Sequence, residues 1–305
     1  MKLLTFIQEG RQKLGIATSL GILHVEQAIE TLGSLDVTSN IAATAMEAIA
    51  GGEEAVAKLS RLVNQALQSS DHSALFLNEA DLILGPCVTH PNKIICVGLN
   101  YRKHAEETNS PIPQFPILFN KFNNTLSGHG HDVTLPKVST KVDYEAELVI
   151  VIGKEAKYVS KENALDYVFG YACVNDLSAR DLQLRTSQWL TGKSCDGFSP
   201  LGPYLVTADE VGNPNDLEIR CTVNEEIRQN SNTADMIFHC DEIVSYISQY
   251  MTLVPGDIIL TGTPEGVVLG YSEDKQVWLK NGDIVTVEIE KLGKLTNRMI
   301  AEVNL

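Results

Sequence analysis

The stretch "KVDYEAELVIVIG", residues 141–153, sets Glu145 and Glu147 two positions apart at the head of an apolar, β-branched run. Side chains alternate across a strand, so these acids share a face with Val149 and Val151, while Tyr144, Ala146, Leu148, Ile150 and Ile152 take the other. Neither face is polar throughout. An amphipathic strand with a solvated end is the ordinary account of Glu-x-Glu. Here the acidic face turns apolar at once, and two ionised carboxylates at a partly buried strand end repel each other until a cation or a proton compensates them. A hard divalent ion is one such cation.

Working outward, the chain from Pro91 onward is a series of short apolar runs punctuated by Gly, Pro and Asn. "KIICVGLN", "PILFNK", "DVTLP", "AELVIVIG", "VFGYACVND", "GPYLVT", "LEIRCTVN", "DIILTGTP", "VWLK" and "DIVTVEIEKLG" read as strands, the last two joined by "NGD", a tight-turn signal. Helices are fewer, over 100–108, 161–167, 178–190 and 239–251. The pattern predicts a β-rich α+β domain over residues 89–305 rather than an alternating doubly wound sheet. Residues 1–88 read as a small N-terminal module. In it, "KLLTFIQ" and "KLGIATS" are strands around a polar turn, and 42–69 carries helical periodicity interrupted at Gly51 and Gly52. His24 and His72 in this module read as packing or surface residues.

The 305 residues carry a formal charge of -15, which argues against general binding to nucleic acid or anionic membranes. Cysteines at 87, 96, 173, 195, 221 and 240 show no C-x-x-C pairing and read as reduced residues of a cytoplasmic protein. Cys195, in "GKSCDGFSP", is the one placed for reactivity. The N-terminus lacks a signal-peptide core, and no stretch reaches about 18 uninterrupted apolar residues, so neither secretion nor membrane insertion is expected.

Asp176 ends the run "VFGYACVND", where a carboxylate joins a site without burial in mid-core; as a helix N-cap it is equally well explained. With Glu145 and Glu147 it would supply three oxygen ligands, and the lack of a histidine cluster or thiolate pair favours Mg²⁺ or Mn²⁺. In "GLNYRKHAEET", His104 and Glu107 are three apart and share a face if the segment is helical. Such a pair serves as a base and its orienter, or simply as an exposed helix pair. The following "TNSPIPQFP" reads as a lid over the site. Lys121, Arg180, Gln183 and Lys193 offer charge or hydrogen bonds to balance acids or hold a substrate carboxylate, with surface solvation as the plain alternative. "TGTPEGV", 261–267, suits hydrogen bonding to a ligand oxygen, as any turn does.

Together, "GLNYRKH", "DYEAELVIVIG", "GYACVNDLSARDLQ", "GKSCDGFSPLGP" and "LVPGDIILTGTPEGV" resemble the fumarylacetoacetate hydrolase family, in the family's order and across residues 93–300. The resemblance implies a mixed β-sandwich roll, usually a homodimer, with Mg²⁺ or Mn²⁺ held by Glu145, Glu147 and Asp176. It implies that His104 and Glu107 are the catalytic dyad, that Lys193 lies beside the metal and substrate, that Arg180 and Gln183 shape the pocket, and that Thr263 contacts a substrate carboxyl group. One departure stands out: many members carry Asp directly before the dyad histidine, where this chain has Lys103.

The expected substrate is a small anionic 2-oxo acid, and the expected reaction is metal-dependent hydrolysis of a carbon–carbon bond in an acylpyruvate, with pyruvate leaving as its enolate. Oxaloacetate decarboxylation and keto–enol tautomerisation share that chemistry and are the rival reactions. A non-catalytic binding or scaffold protein is the rival from another class, although a scaffold has no need to keep three acids together.

Overall fold

The computed structural model describes residues 1–32, 41–70 and 72–302. Strand Ala146–Ile152 lies at the centre, buried on both faces, and its alternation builds two cores. Leu148, Ile150 and Ile152 pack with Tyr171, Ile219, Val287 and Ile243. Val149 and Val151 pack instead with Ala172, Val174, Ile49 and Leu59. At about 25 cal/mol per Å² of buried apolar surface, each such side chain contributes roughly 1.5–3 kcal/mol, which is why the run tolerates no polar residue beyond Glu147.

The strand belongs to a twelve-stranded sheet, with Val168–Asn175 antiparallel on one side and Ile258–Leu260 antiparallel on the other. Beyond Ile258–Leu260 lie Ile94–Gly98 and then Ile117–Lys121. On the opposite flank, Val168–Asn175 pairs with Ser199–Thr207, which pairs with Lys2–Gln8 from the N-terminal residues. Helix Ala45–Gln68 covers that flank's core with Ala48, Ile49, Leu59 and Leu62. A five-stranded sheet, ordered Glu226–Asn232, Glu218–Val223, Ile284–Ile289, Gly293–Ala301 and Asp132–Leu135, faces the other core. The class is α+β and strand-rich, as the sequence pattern predicts. Among the described residues no helix is long and apolar enough to cross a membrane.

Four elements differ from expectation. Residues 178–190 do not form one helix: Ser178–Ala179 pairs with Val142–Asp143, followed by single helical turns at Arg180–Gln183 and Leu190–Lys193. The Thr186 hydroxyl bonds the local backbone at Gln188, an alternative to helix that the apolar spacing does not reveal. "VWLK" is not a strand, so "NGD" joins no hairpin. There the Asp283 carboxylate accepts from the Lys280 N–H and holds a turn. The hairpin partner of Ile284–Ile289 is Gly293–Ala301, which the sequence reading missed, as it missed Glu226–Asn232. Both strands mix polar and apolar residues and carry little continuous apolar signal.

Candidate active site

Antiparallel register assembles the acids. Ala146 pairs with Asn175, so Glu145 and Asp176 are the next residues at the same end of the sheet, and the Asp176 N–H donates to the Glu145 carbonyl at 2.9 Å. Glu145, Glu147 and Asp176 each present a carboxylate oxygen, and these oxygens lie within 4.8 Å of one another. All three side chains are buried. Asp176 caps no helix; its carboxylate is held by the ammonium groups of Lys121 and Lys193.

The cations are distributed unevenly. Lys193 donates to Glu145 at 2.6 Å and to Asp176 at 2.7 Å. Arg180 forms an ion pair with Glu145 at 2.7 Å and another with Asp143 at 2.9 Å. Burial opposes ionisation of Glu145, but Lys193 and Arg180 outweigh it and bring its pKa down to about 2. Glu147 has no ion pair among the described residues and accepts one hydrogen bond, from the Gly262 N–H at 2.8 Å. Burial first, then the Asp176 and Glu145 carboxylates, push its pKa well above the usual range. Gly262 has φ of +97°, and a Cβ there would lie 2.7 Å from Cβ of Asn100, so the donor can approach Glu147 only as glycine. This donor set fits a hard divalent cation: three oxygens converge, one lacks a compensating charge, and no thiolate or imidazole is among them. Lys193 stays an ammonium, because Asp176 and Glu145 overcome its desolvation.

The dyad stands on helix Arg102–Glu107. The helix entry is set by buried Asn100, whose amide donates to the carbonyls of Phe238 and Thr261 and accepts from the Phe238 N–H. His104 Nδ1 lies 2.8 Å from Glu107 Oε1, and Glu107 Oε2 accepts from the Gly266 N–H, also at 2.8 Å. The pair is therefore packed into the protein, not an exposed helix pair. His104 Nε2 has no protein partner among the described residues and is left to a cavity of about 580 Å³. Glu145, Glu147, Arg180, Gln183, Lys193 and Thr263 line the same cavity, with Phe119, Trp189 and Tyr271 around them. Thr108, Asn109 and Ser110, from the proline-rich segment read as a lid, also border it. Asp176 lies behind this wall, fully buried.

Arg180 Nη1 donates to Gln183 Oε1 at 3.0 Å. The Thr263 hydroxyl donates to the Ala146 carbonyl at 2.9 Å and accepts from Gln229 at 2.8 Å. Lys103, the departure from the family pattern, reaches Glu265 at 3.4 Å across the surface. Sequence reasoning missed Asp143, Asn100 and Gln229, whose work is to hold backbone. Asp143 sat inside the quoted motif, beside the acids that were recognised.

Glu145, Glu147 and the His104–Glu107 pair border one cavity, with Asp176 behind its wall, an arrangement able to hold a divalent ion beside a candidate base. The family model described as fumarylacetoacetate hydrolase, C-terminal, matches residues 93–300, and the chain belongs to the fumarylacetoacetate hydrolase family. A mitochondrial oxaloacetate tautomerase of Xenopus laevis is 45% identical over 237 residues, 77% of this chain and 73% of that one. The solved fumarylacetoacetate hydrolase of Exiguobacterium antarcticum superposes with a TM-score of 0.82 at 32% identity, covering 99% of this chain and 100% of that one. The maleylpyruvate hydrolase of Sphingobium sp. SYK-6, solved with manganese(II) and pyruvate, gives 0.77 at 30% identity, again covering 99% and 100%.

Proposed function

We propose that this chain is a divalent-metal-dependent enzyme acting on small 2-oxo acids, and that it interconverts the keto and enol forms of oxaloacetate. The observation that carries the proposal is the His104–Glu107 pair, which commits Nδ1 to the carboxylate and leaves Nε2 without a protein partner among the described residues, on a residue lining the cavity with Glu145 and Glu147. The name of the Xenopus relative supports the choice of reaction. Mg²⁺ or Mn²⁺ held by Glu145, Glu147 and Asp176 would supply a Lewis acid that polarises the 2-oxo group and so acidifies the adjacent carbon.

Glu107 holds the Nδ1–H tautomer of His104, so the Nε2 lone pair takes the proton from the carbon beside the 2-oxo group. The electron pair of that bond becomes the carbon–carbon double bond, the oxo oxygen gains a proton from water to give the enol, and His104 Nε2 returns its proton to water. Lys193, locked as an ammonium, favours negative charge building in the cavity but is not available as a base. Arg180 and Gln183 shape the wall that the substrate meets. Because the Thr263 hydroxyl is already donated to Ala146, a substrate carboxylate meets its backbone N–H, which has no partner among the described residues. The same proposal takes the working unit as a cytoplasmic homodimer with neither nucleic acid nor membrane as partner.

Hydrolysis of an acylpyruvate is the second reading, favoured by the likeness to the maleylpyruvate hydrolase. There Nε2 would deprotonate a water that attacks the distal carbonyl. Proton NMR of the Mg²⁺-loaded protein with oxaloacetate in D₂O, and separately with acetylpyruvate, tests both. Accelerated deuterium uptake beside the oxo group without loss of CO₂ supports the tautomerase. Acetate and pyruvate from acetylpyruvate, with oxaloacetate exchange unchanged, supports the hydrolase. Pyruvate and CO₂ from oxaloacetate moves the reaction to decarboxylation. No divalent-metal binding by calorimetry would return the chain to a scaffold.

A further inference from the structure

Asp143 lies in the same motif as Glu145 and Glu147 but takes no part in their cluster. Its buried carboxylate accepts four N–H groups: Oδ1 from Tyr144 and Val268, both at 2.9 Å, and Oδ2 from Leu269 at 3.1 Å and Arg180 Nε at 2.9 Å. Four donors saturate a carboxylate, so none of its capacity is left for a metal or substrate. What Asp143 grips is the loop from Gly266 to Gly270.

That loop meets Glu107 at both ends. The Gly266 N–H donates to Glu107 Oε2 at 2.8 Å. At Gly270 a Cβ would lie 2.5 Å from Cδ of Glu107 and 2.6 Å from Oε2. The atoms in the way are the far end of a flexible side chain, so a methyl group there displaces the carboxylate and not the backbone.

We propose that residues 266–270 form a seat for the Glu107 carboxylate, that Gly270 is glycine to leave room for it, and that Asp143 anchors the seat. These are positioning residues that act through Glu107 on His104. The proposal rests on the reading of His104 and Glu107 as the proton-transfer pair. A carboxylate pushed off the seat loses the Gly266 N–H and shifts against Nδ1. The imidazole is then free to take the Nε2–H tautomer, which cannot accept a proton at the cavity. Displacements of this size cost about 10²-fold in rate when the reacting geometry is lost.

The test uses the full Mg²⁺-loaded chain and begins with Glu107→Ala. If that variant keeps wild-type oxaloacetate exchange, the reading of the pair fails, and the seat with it. If it loses activity, Gly270→Ala decides. The expected result is a fall in kcat of about 10²-fold, with KM and Mg²⁺ affinity by calorimetry within about 3-fold. The thermal midpoint stays unchanged. The ¹⁵N shifts of His104 should move toward the other tautomer in Gly270→Ala and in Asp143→Asn, a change that a general loss of packing would not produce. In the Glu107→Ala background, Gly270→Ala should remove nothing further. Wild-type kcat and unchanged His104 shifts in Gly270→Ala would overturn the seat, as would a full additional loss in the double variant. Unchanged shifts in a folded Asp143→Asn would overturn the anchor.

Discussion

Nζ of Lys193 lies 2.6 Å from Oε2 of Glu145, with both side chains buried. The same ammonium reaches Asp176 at 2.7 Å, so one cation is shared by two of the three acids. Breaking a buried pair by removing one partner leaves an uncompensated charge and costs about 3–5 kcal/mol. Lys193→Met should lower the stability of the metal-free protein by less than that, because Arg180 still reaches Glu145 and Lys121 still reaches Asp176. A bound divalent ion replaces part of the lost charge, so the rise in melting temperature on adding Mg²⁺ should be larger in the variant than in the wild type. Thermal scans with and without Mg²⁺ check this; equal shifts would detach Lys193 from the acid cluster.

Glu147 has the opposite character, because its carboxylate is crowded by Asp176 and Glu145. Glu147→Gln keeps an oxygen for the Gly262 N–H and replaces a carboxyl whose ionised form burial and its two acidic neighbours oppose. The metal-free variant should melt at or above the wild-type temperature. It should lose the Mg²⁺-induced shift and the metal-dependent activity together. A variant that still shows the full shift would take Glu147 out of the ligand set.

His104 touches none of the three acids through its hydrogen bonds, since Nδ1 is taken by Glu107. His104→Ala should bind Mg²⁺ with near wild-type affinity by calorimetry while proton exchange on oxaloacetate slows by about 10²-fold or more. An undiminished rate would assign the proton transfer elsewhere.

Lys121 is fully buried, pairs with Asp176 and donates to the Phe198 carbonyl at 2.7 Å, behind the cavity rather than in it. Lys121→Met should lower stability, read by urea unfolding, by less than the about 3–5 kcal/mol of a pair with no other partner, because Lys193 still reaches Asp176. Less than 1 kcal/mol would mean that Lys193 alone neutralises Asp176.

Cys195 is half-buried, and desolvation raises its thiol pKa. The thiolate is the reactive form, so alkylation by iodoacetamide at neutral pH should be slower than for a free cysteine in solution and should rise as pH climbs toward the raised pKa. Fast labelling at neutral pH would restore the reactivity that its place in the sequence suggests.

The spacing of Glu145 and Glu147 ahead of a β-branched run, and the three-residue spacing of His104 and Glu107, were legible in the sequence because strand and helix periods are local. The stretch 178–190 was misread as one helix because its apolar spacing is helical while Thr186 turns the chain with bonds that composition does not display. Asp143 and Gly270 stayed silent for a stronger reason: their partners lie more than a hundred residues away, at Val268 and at Glu107.

By itself the sequence determined the central apolar strands, the acids beside their ends, and the order of motifs that places the chain in its family. Only the tertiary structure decided which carboxylate receives a cation and which is left without one, and which glycine lies against the Glu107 carboxylate. Pairing strengths at these distances depend on where distant segments meet in a low-dielectric interior, and no local period encodes that.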